Sequence, residues 1–140
     1  MTSFTRPPLD FVVIKEDWCR YDLSDNSILK VKVVLTKVYK NQGQLMCEIH
    51  PFRVILTNEK GDPDSKTYST KDLKASIKDN IQFTTVIEDW NECVVDDGTT
   101  IKIRPVVSKI TRTSKFDPKG FPRYICEIRG DMKMMSPIDE

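Results

Sequence analysis

The sequence predicts an all-β protein, with room for one short helix, built as an internally duplicated small β-barrel or β-sandwich. Three observations support this fold class. One segment recurs 72 positions later in the chain, the recurring segments alternate apolar and polar residues as half-buried strands do, and each carries a tight-turn signal. We expect two three-stranded meanders to pack about a pseudo-twofold axis around one core.

The recurring segment covers residues 16–39 and 88–111. Seven of 24 positions are identical without a gap, where unrelated segments share about one or two. The identical pairs are Glu16/Glu88, Asp17/Asp89, Trp18/Trp90, Asp25/Asp97, Lys30/Lys102, Val34/Val106 and Lys37/Lys109. Such self-similarity indicates duplication. Two copies are too few for an open solenoid, which favours a closed pair.

Each copy is expected to begin with a hairpin. Asp97-Gly98 lies between β-branched runs and predicts a type I′ turn, which requires positive φ at both central residues. Asp25-Asn26 stands at the matching place, and asparagine also tolerates positive φ. After the turn the inward alternation changes phase, and Pro105 lies near the change, so we expect a bulge or sharp bend near residues 33 and 105.

The third strand of each meander is predicted at residues 45–49 and 123–128. The first copy then continues with a further strand at 52–57 and a short helix at 70–79, in which Thr70 is the N-cap. The second copy has no counterpart to these elements. The asymmetric segment is either the seat of a specialised function or a linker between two sheets.

We divide the chain into a loosely held arm at 1–10, a first β repeat at 11–82 and a second at 83–140, packed together as one compact unit. Apolar residues make up 39% and charged residues 31%, a composition typical of soluble globular proteins. The net charge of +1 does not favour nucleic acid or an anionic membrane as a partner. No apolar stretch is long enough to span a membrane, and we expect a cytoplasmic protein. The sequence does not determine the oligomeric state.

From the sequence we expect a protein that is not an enzyme and that has no cofactor, no metal site and no catalytic residue. His50 is the only histidine, so it would have to serve any Ser-His or Cys-His pair, and its place after a strand favours a surface role. Cys47 lies three positions away, yet a zinc site needs about four ligands and no second pair is present.

The recurring Glu-Asp-Trp triplets have structural and functional interpretations. Trp18 and Trp90 are predicted to anchor the cores of the two meanders, with a ligand-stacking platform as the alternative. Their neighbours Asp17 and Asp89 are expected to pair with Lys37 and Lys109, the lysines that occupy matching positions in the two copies. Charges near a core are seldom left unpaired.

Two functions remain open from the sequence. The first is a non-enzymatic interaction module that binds protein through the asymmetric segment 52–80. The alternative is a single-stranded nucleic-acid binder that tracks phosphates with the basic strand residues. The candidate binding residues are Lys30, Lys32, Lys102, Arg104, Phe52 and Arg53.

Overall fold

In the computed structural model, which describes residues 8–137, the chain forms nine strands and one short helix, so the predicted all-β class is confirmed. The elements are β1 (Phe11–Lys15), β2 (Cys19–Leu23), β3 (Ile28–Asn41), β4 (Gln44–Leu56), α1 (Thr70–Ala75), β5 (Ile77–Ile81), β6 (Phe83–Ile87), β7 (Asn91–Val95), β8 (Thr100–Phe116) and β9 (Pro122–Met135).

The strands form two antiparallel sheets that do not close into a barrel, so the barrel alternative is wrong. The first sheet has the order β4-β3-β2-β6. In the second sheet β1 pairs with β7 and β7 with β8, while β5 and β9 both pair with β8. The predicted meanders are present as β2-β3-β4 and β7-β8-β9.

The two halves of the chain exchange strands. Strand β1 leaves the first half and pairs with β7, where Phe11 faces Val95. Strand β6 makes the reverse exchange and pairs with β2, where Phe83 faces Leu23. The first sheet therefore contains one short strand, β6, from the second half of the chain, and the second sheet contains two, β1 and β5, from the first half.

The core lies between the sheets. Alternation along β3 buries Val31, Val33 and Leu35 and turns Lys32 and Val34 outward. Ile101 and Ile103 of β8 are buried in the same way from the opposite sheet. Burial of such β-branched and aliphatic side chains stabilises the fold by about 1.5–3 kcal/mol each.

The bulges lie a few residues beyond the predicted positions near 33 and 105. The register of β3 with β4 shifts between Leu35 and Lys37, and that of β8 with β9 shifts between Val107 and Lys109. At both places a hydroxyl donates to a carbonyl of the neighbouring strand: Thr36 to Glu48 at 3.0 Å, and Ser108 to Glu127 at 3.2 Å. Each bulge adds one residue to the strand, because the alternation of buried and exposed side chains shifts by one position there.

The turn types differ from the prediction. Gly98 has φ +89° while Asp97 does not adopt positive φ, and in the matching turn of the first half only Asn26 does, at 66°. Both hairpins therefore end in one left-handed residue, as three-residue loops do, rather than in a type I′ turn. Two consecutive positive φ values occur instead at Gln42-Gly43, between β3 and β4.

The asymmetric segment is organised differently from the prediction. β4 is one continuous strand through Pro51, where two strands were expected. Proline is tolerated there because β4 is an edge strand and needs no donor on its outer side. The helix is shorter than predicted and is capped by Ser69, whose hydroxyl accepts from the Asp72 amide at 3.1 Å. Residues predicted as its second half form β5.

The chain ends lie mostly outside the described residues, as does most of the predicted loose arm. Within that arm the Leu9 amide donates to the Val38 carbonyl at 2.8 Å, which joins it to the end of β3. Between residues 8 and 137 no helix has the length and apolar character that a membrane crossing requires.

Candidate functional site

Strands β3 and β4 place apolar and basic side chains side by side on the outer surface of the first sheet. Residues directly opposite in an antiparallel pair point to the same side of the sheet. Lys32 faces Phe52, Lys30 faces Val54 and Ile28 faces Leu56. We call this set the β4 face, and it consists of Ile28, Lys30, Lys32, Phe52, Val54 and Leu56.

Three large apolar side chains of the β4 face are open to solvent. Phe52 is 47% exposed, Val54 43% and Leu56 47%. The residues between them, Arg53 and Ile55, point toward the second sheet. Contiguous apolar area on a sheet surface is typical of an interaction site, because its exposure costs about 25 cal/mol per Å².

The same strand offers unpaired backbone groups. Among residues 8–137, β4 pairs only with β3 and forms the edge of the first sheet. An open edge presents alternate amide and carbonyl groups that pair with an added strand. The apolar row and the open edge thus belong to one strand.

The charges beside this row are mainly positive. Lys32 lies 3.5 Å from the Glu16 carboxylate and 4.9 Å from the centre of the Trp18 ring. Lys30 has no carboxylate within 4 Å among the described residues. The imidazole of His50 packs against Phe52, with ring centres 4.6 Å apart.

The structure brings together three of the six predicted residues, Lys30, Lys32 and Phe52. Lys102 and Arg104 lie on the outer surface of the opposite sheet, where they approach Glu92 at 3.8 Å and Asp131 at 3.6 Å. The four predicted cations therefore do not share one surface, and most of their charge is balanced locally.

Arg53 points away from the β4 face. Its guanidinium donates to the Tyr124 carbonyl at 3.1 Å and to the Cys126 sulfur at 2.9 Å. It therefore links the edges of the two sheets.

The tryptophans are not core anchors, so that prediction is wrong. Trp18 is 38% exposed and Trp90 is half-buried. Both lie in the connections that cross from one sheet to the other, outside the pleat of any strand. Cations cover their rings: Lys32 covers Trp18, while Arg104 at 4.3 Å and Lys133 at 4.6 Å cover Trp90. Each such contact stabilises by about 0.5–1 kcal/mol at exposed sites.

The expected Asp17–Lys37 and Asp89–Lys109 pairs are also wrong. The acidic triplets lie at the sheet crossings, and the crossings contact each other instead. Asp89 pairs with Lys15 at 3.6 Å, and Asp17 is held through its backbone by the Asn91 amide group.

The buried hydroxyl of Tyr21 donates to Glu88 at 2.6 Å. Burial and this bond raise the pKa of Tyr21 far above its ordinary value.

The cysteine thiols between residues 8 and 137 are not activated as nucleophiles. No three His, Cys, Asp or Glu side chains between residues 8 and 137 are grouped to hold a metal ion. Burial raises the pKa of all four cysteine thiols, and that of Cys93 to about 11. Thiols with raised pKa values are poor nucleophiles at neutral pH.

Comparison with protein-family models, with curated proteins and with solved structures gives no match to this chain. The arguments on function therefore rest on the geometry of the molecule. Sequence reasoning missed Val54, Leu56 and Ile28 as members of the β4 face. The signal that identifies them is the apolar residue at every second position from 52 to 56, interrupted by an arginine that faces inward.

Proposed function

We propose that this protein is a non-enzymatic module that binds an extended segment of another protein along β4. The observation that carries the proposal is the coincidence of three exposed apolar side chains with an open strand edge. In such strand addition, main-chain hydrogen bonds supply affinity, and alternate side chains of the partner supply specificity.

The charge on the β4 face specifies the chemistry of the partner. Lys30 lies between the apolar residues and is not neutralised by any described carboxylate. A segment that alternates apolar and acidic residues would cover Phe52, Val54 and Leu56 and place a carboxylate beside Lys30. Such a pair gains more when the partner excludes water from it.

Peptide selection tests this proposal. Random peptides displayed on phage are selected against the full chain, and we expect the enriched sequences to alternate apolar with acidic residues. The double variant Phe52→Ser/Val54→Ser should weaken their binding more than tenfold, since each buried side chain contributes about 1.5–3 kcal/mol. The matched control is Val12→Ser/Ile14→Ser on the exposed edge strand β1, which should bind normally. Equal loss in both variants would contradict the assignment.

The alternative function, single-stranded nucleic-acid binding, predicts a different experimental result. Oligonucleotide binding that falls steeply with salt and is lost in Lys102→Glu/Arg104→Glu would favour it, because neutralised phosphates release counterions. The placement of the basic pairs on opposite sheets, each near acidic residues, favours the protein-binding proposal.

We also propose a cytoplasmic location. The four free cysteines support it, because thiols stay reduced in that compartment.

We also propose that the two halves arose by duplication and are related by pseudo-twofold symmetry. Matched positions have matched pairings throughout: Cys19 faces Val31 as Asn91 faces Ile103. The shift of 72 also relates the Leu9–Val38 bridge to the pairing of Ile81 with Ile110. A structural superposition of residues 8–41 on 80–113 tests this, and unlike paths of β3 and β8 would contradict it.

A further inference from the structure

A cavity of about 330 Å³ opens where β4 ends and β9 begins. The loop before β9 and one residue of α1 complete its wall. The residues that matter most for its chemistry are Arg53, Leu73, Asp117, Phe121, Arg123 and Tyr124. This cavity lies on the inner side of β4, whereas the β4 face is on the outer side.

Two guanidinium groups line the cavity, and both are held in place by the fold. Arg53 donates to the Tyr124 carbonyl at 3.1 Å and to the Cys126 sulfur. Arg123 donates through Nε to the Phe116 carbonyl at 3.1 Å. Neither guanidinium forms an ion pair within 4 Å among the described residues, although Arg123 interacts electrostatically with the more distant carboxylates of Asp64 and Asp117. Each group retains further N–H donors.

The one acidic group in the wall is already engaged. The Asp117 carboxylate accepts from the backbone amides of Lys119 at 2.8 Å and Phe121 at 2.9 Å. The hydrogen bond from the Phe121 backbone amide holds the pKa of Asp117 below its usual range. Asp117 thus shapes the loop, and the cavity keeps an excess of positive charge.

A second cavity of about 460 Å³ adjoins the first and shares Ile55, Thr57 and Phe121 with it. Its remaining wall is apolar at Ile28 and Leu56, which also form the end of the β4 face, and carries two amide side chains, Asn26 and Asn58. The second cavity therefore opens at the end of β4, beside that face. Together the cavities have the size of small-molecule sites, which combine an apolar wall with a few fixed polar groups.

We propose that this double cavity binds a small organic anion. Its phosphate, sulfate or carboxylate group lies between Arg53 and Arg123, and its apolar or aromatic part extends past Phe121 into the second cavity. Arginine suits this role because its planar group donates two parallel bonds to such oxyanions. The aromatic ring of Phe121 stands at the junction and packs against the apolar part of the ligand.

Phenyl phosphate is a suitable probe, because it joins an anionic group to one ring. Titration of the full chain by calorimetry should give low-millimolar or tighter binding that weakens with salt. Inorganic phosphate and benzyl alcohol, which each supply one half of the probe, should bind more weakly. No binding of phenyl phosphate, or equal binding of inorganic phosphate, would overturn the proposal.

Substitutions locate the probe. Arg123→Met should weaken binding about tenfold, the loss expected for one charge-assisted hydrogen bond. The matched control Arg129→Met removes the same charge from an exposed side chain on β9 and should bind as wild type. Phe121→Leu leaves both guanidiniums in place and should weaken phenyl phosphate but not inorganic phosphate, so the proposal stays testable if Arg123→Met unfolds. Equal affinity in Arg123→Met and Arg129→Met would refute the site.

Discussion

Asn91 joins the two connections that cross between the sheets, and its replacement by alanine tests whether this junction holds the fold together. Its side chain is buried, at 3% exposure. The Oδ1 atom accepts from the Asp17 amide at 3.0 Å, and the Nδ2 atom donates to the Asp17 carbonyl at 3.0 Å. One side chain thus satisfies both backbone groups of a residue 74 positions away.

The expected loss follows from these two bonds. Each contributes about 1 kcal/mol net, and a buried group left without a partner costs about 1–3 kcal/mol. Both bonds are only partly buried, so water reaches the freed Asp17 groups and the lower values apply. We expect Asn91→Ala to lower the free energy of unfolding by about 2–3 kcal/mol.

Urea denaturation followed by tryptophan fluorescence measures this loss. With a denaturant slope of roughly 2 kcal/mol/M, the midpoint should fall by about 1–1.5 M. Asn80→Ala is the matched control, because Asn80 is exposed and its side chain makes no hydrogen bond to the described residues. A loss below about 0.5 kcal/mol in Asn91→Ala, the range of ordinary surface substitutions, would refute the role of this junction.

Three further perturbations test the burial, turns and polar contacts of the fold. Burial raises the pKa of Cys93 from 9.0 to about 11, so the contribution of its protonated thiol to the free energy of unfolding is complete below about pH 9 and is lost as the pH rises through 11. Between pH 9 and pH 11 the wild type should therefore lose roughly 2 kcal/mol more stability than Cys93→Ala. Equal losses in the two proteins would contradict this expectation. Gly98→Ala should cost about 1–2 kcal/mol because φ is +89°, whereas Asn26→Gly at the matching turn should not reduce the midpoint of thermal unfolding. Tyr124→Phe should cost about 1–3 kcal/mol by removing the hydroxyl that bonds Asp25, and unchanged chemical denaturation would argue against that bond.

The local elements were predictable because alternation and turn residues encode them directly. β3 and β8 read as strands with one buried face, and the hairpins follow from residues that accept positive φ. Pro105 precedes the bulge in β8, so a prediction based on this proline places both bulges too early. The better signal is the change of buried face between Leu35 and Val38, which requires one extra residue between them.

Two prolines, Pro51 and Pro105, lie inside strands, and each is tolerated for a different reason. Pro51 lies in an edge strand, where a missing amide costs no sheet hydrogen bond on the open side. Pro105 lies in β8 between the end of its pairing with β7 at Ile103 and the start of its pairing with β5 at Ile110. A proline therefore identifies a gap in strand pairing as readily as the end of a strand.

The candidate site was only partly predictable because the sequence of a strand does not show which of its two faces is buried. The run from residue 52 to 57 reads as a strand, yet an alternating strand does not reveal which side meets the core until its partner is known. Pairing with β3 fixes Phe52 outward, beside Lys32. The same pairing turns Arg53 inward to Tyr124 and Cys126, so two neighbouring candidates belong to different surfaces.

The exchange of β1 and β6 is the feature least accessible from sequence, and it explains the recurring Glu-Asp-Trp triplets. Each exchange requires a connection that leaves one sheet and enters the other within three residues, 16–18 or 88–90. The ends of these connections are held by hydrogen bonds between the halves, from the Asp17 amide to Asn91 and from the Tyr21 hydroxyl to Glu88. Strands β1 and β6 pair with sheets to which the other half of the chain contributes most of the strands. Each half therefore contributes to the stability of the other, and the contacts at the crossings give the triplets a structural role that needs no shared ligand.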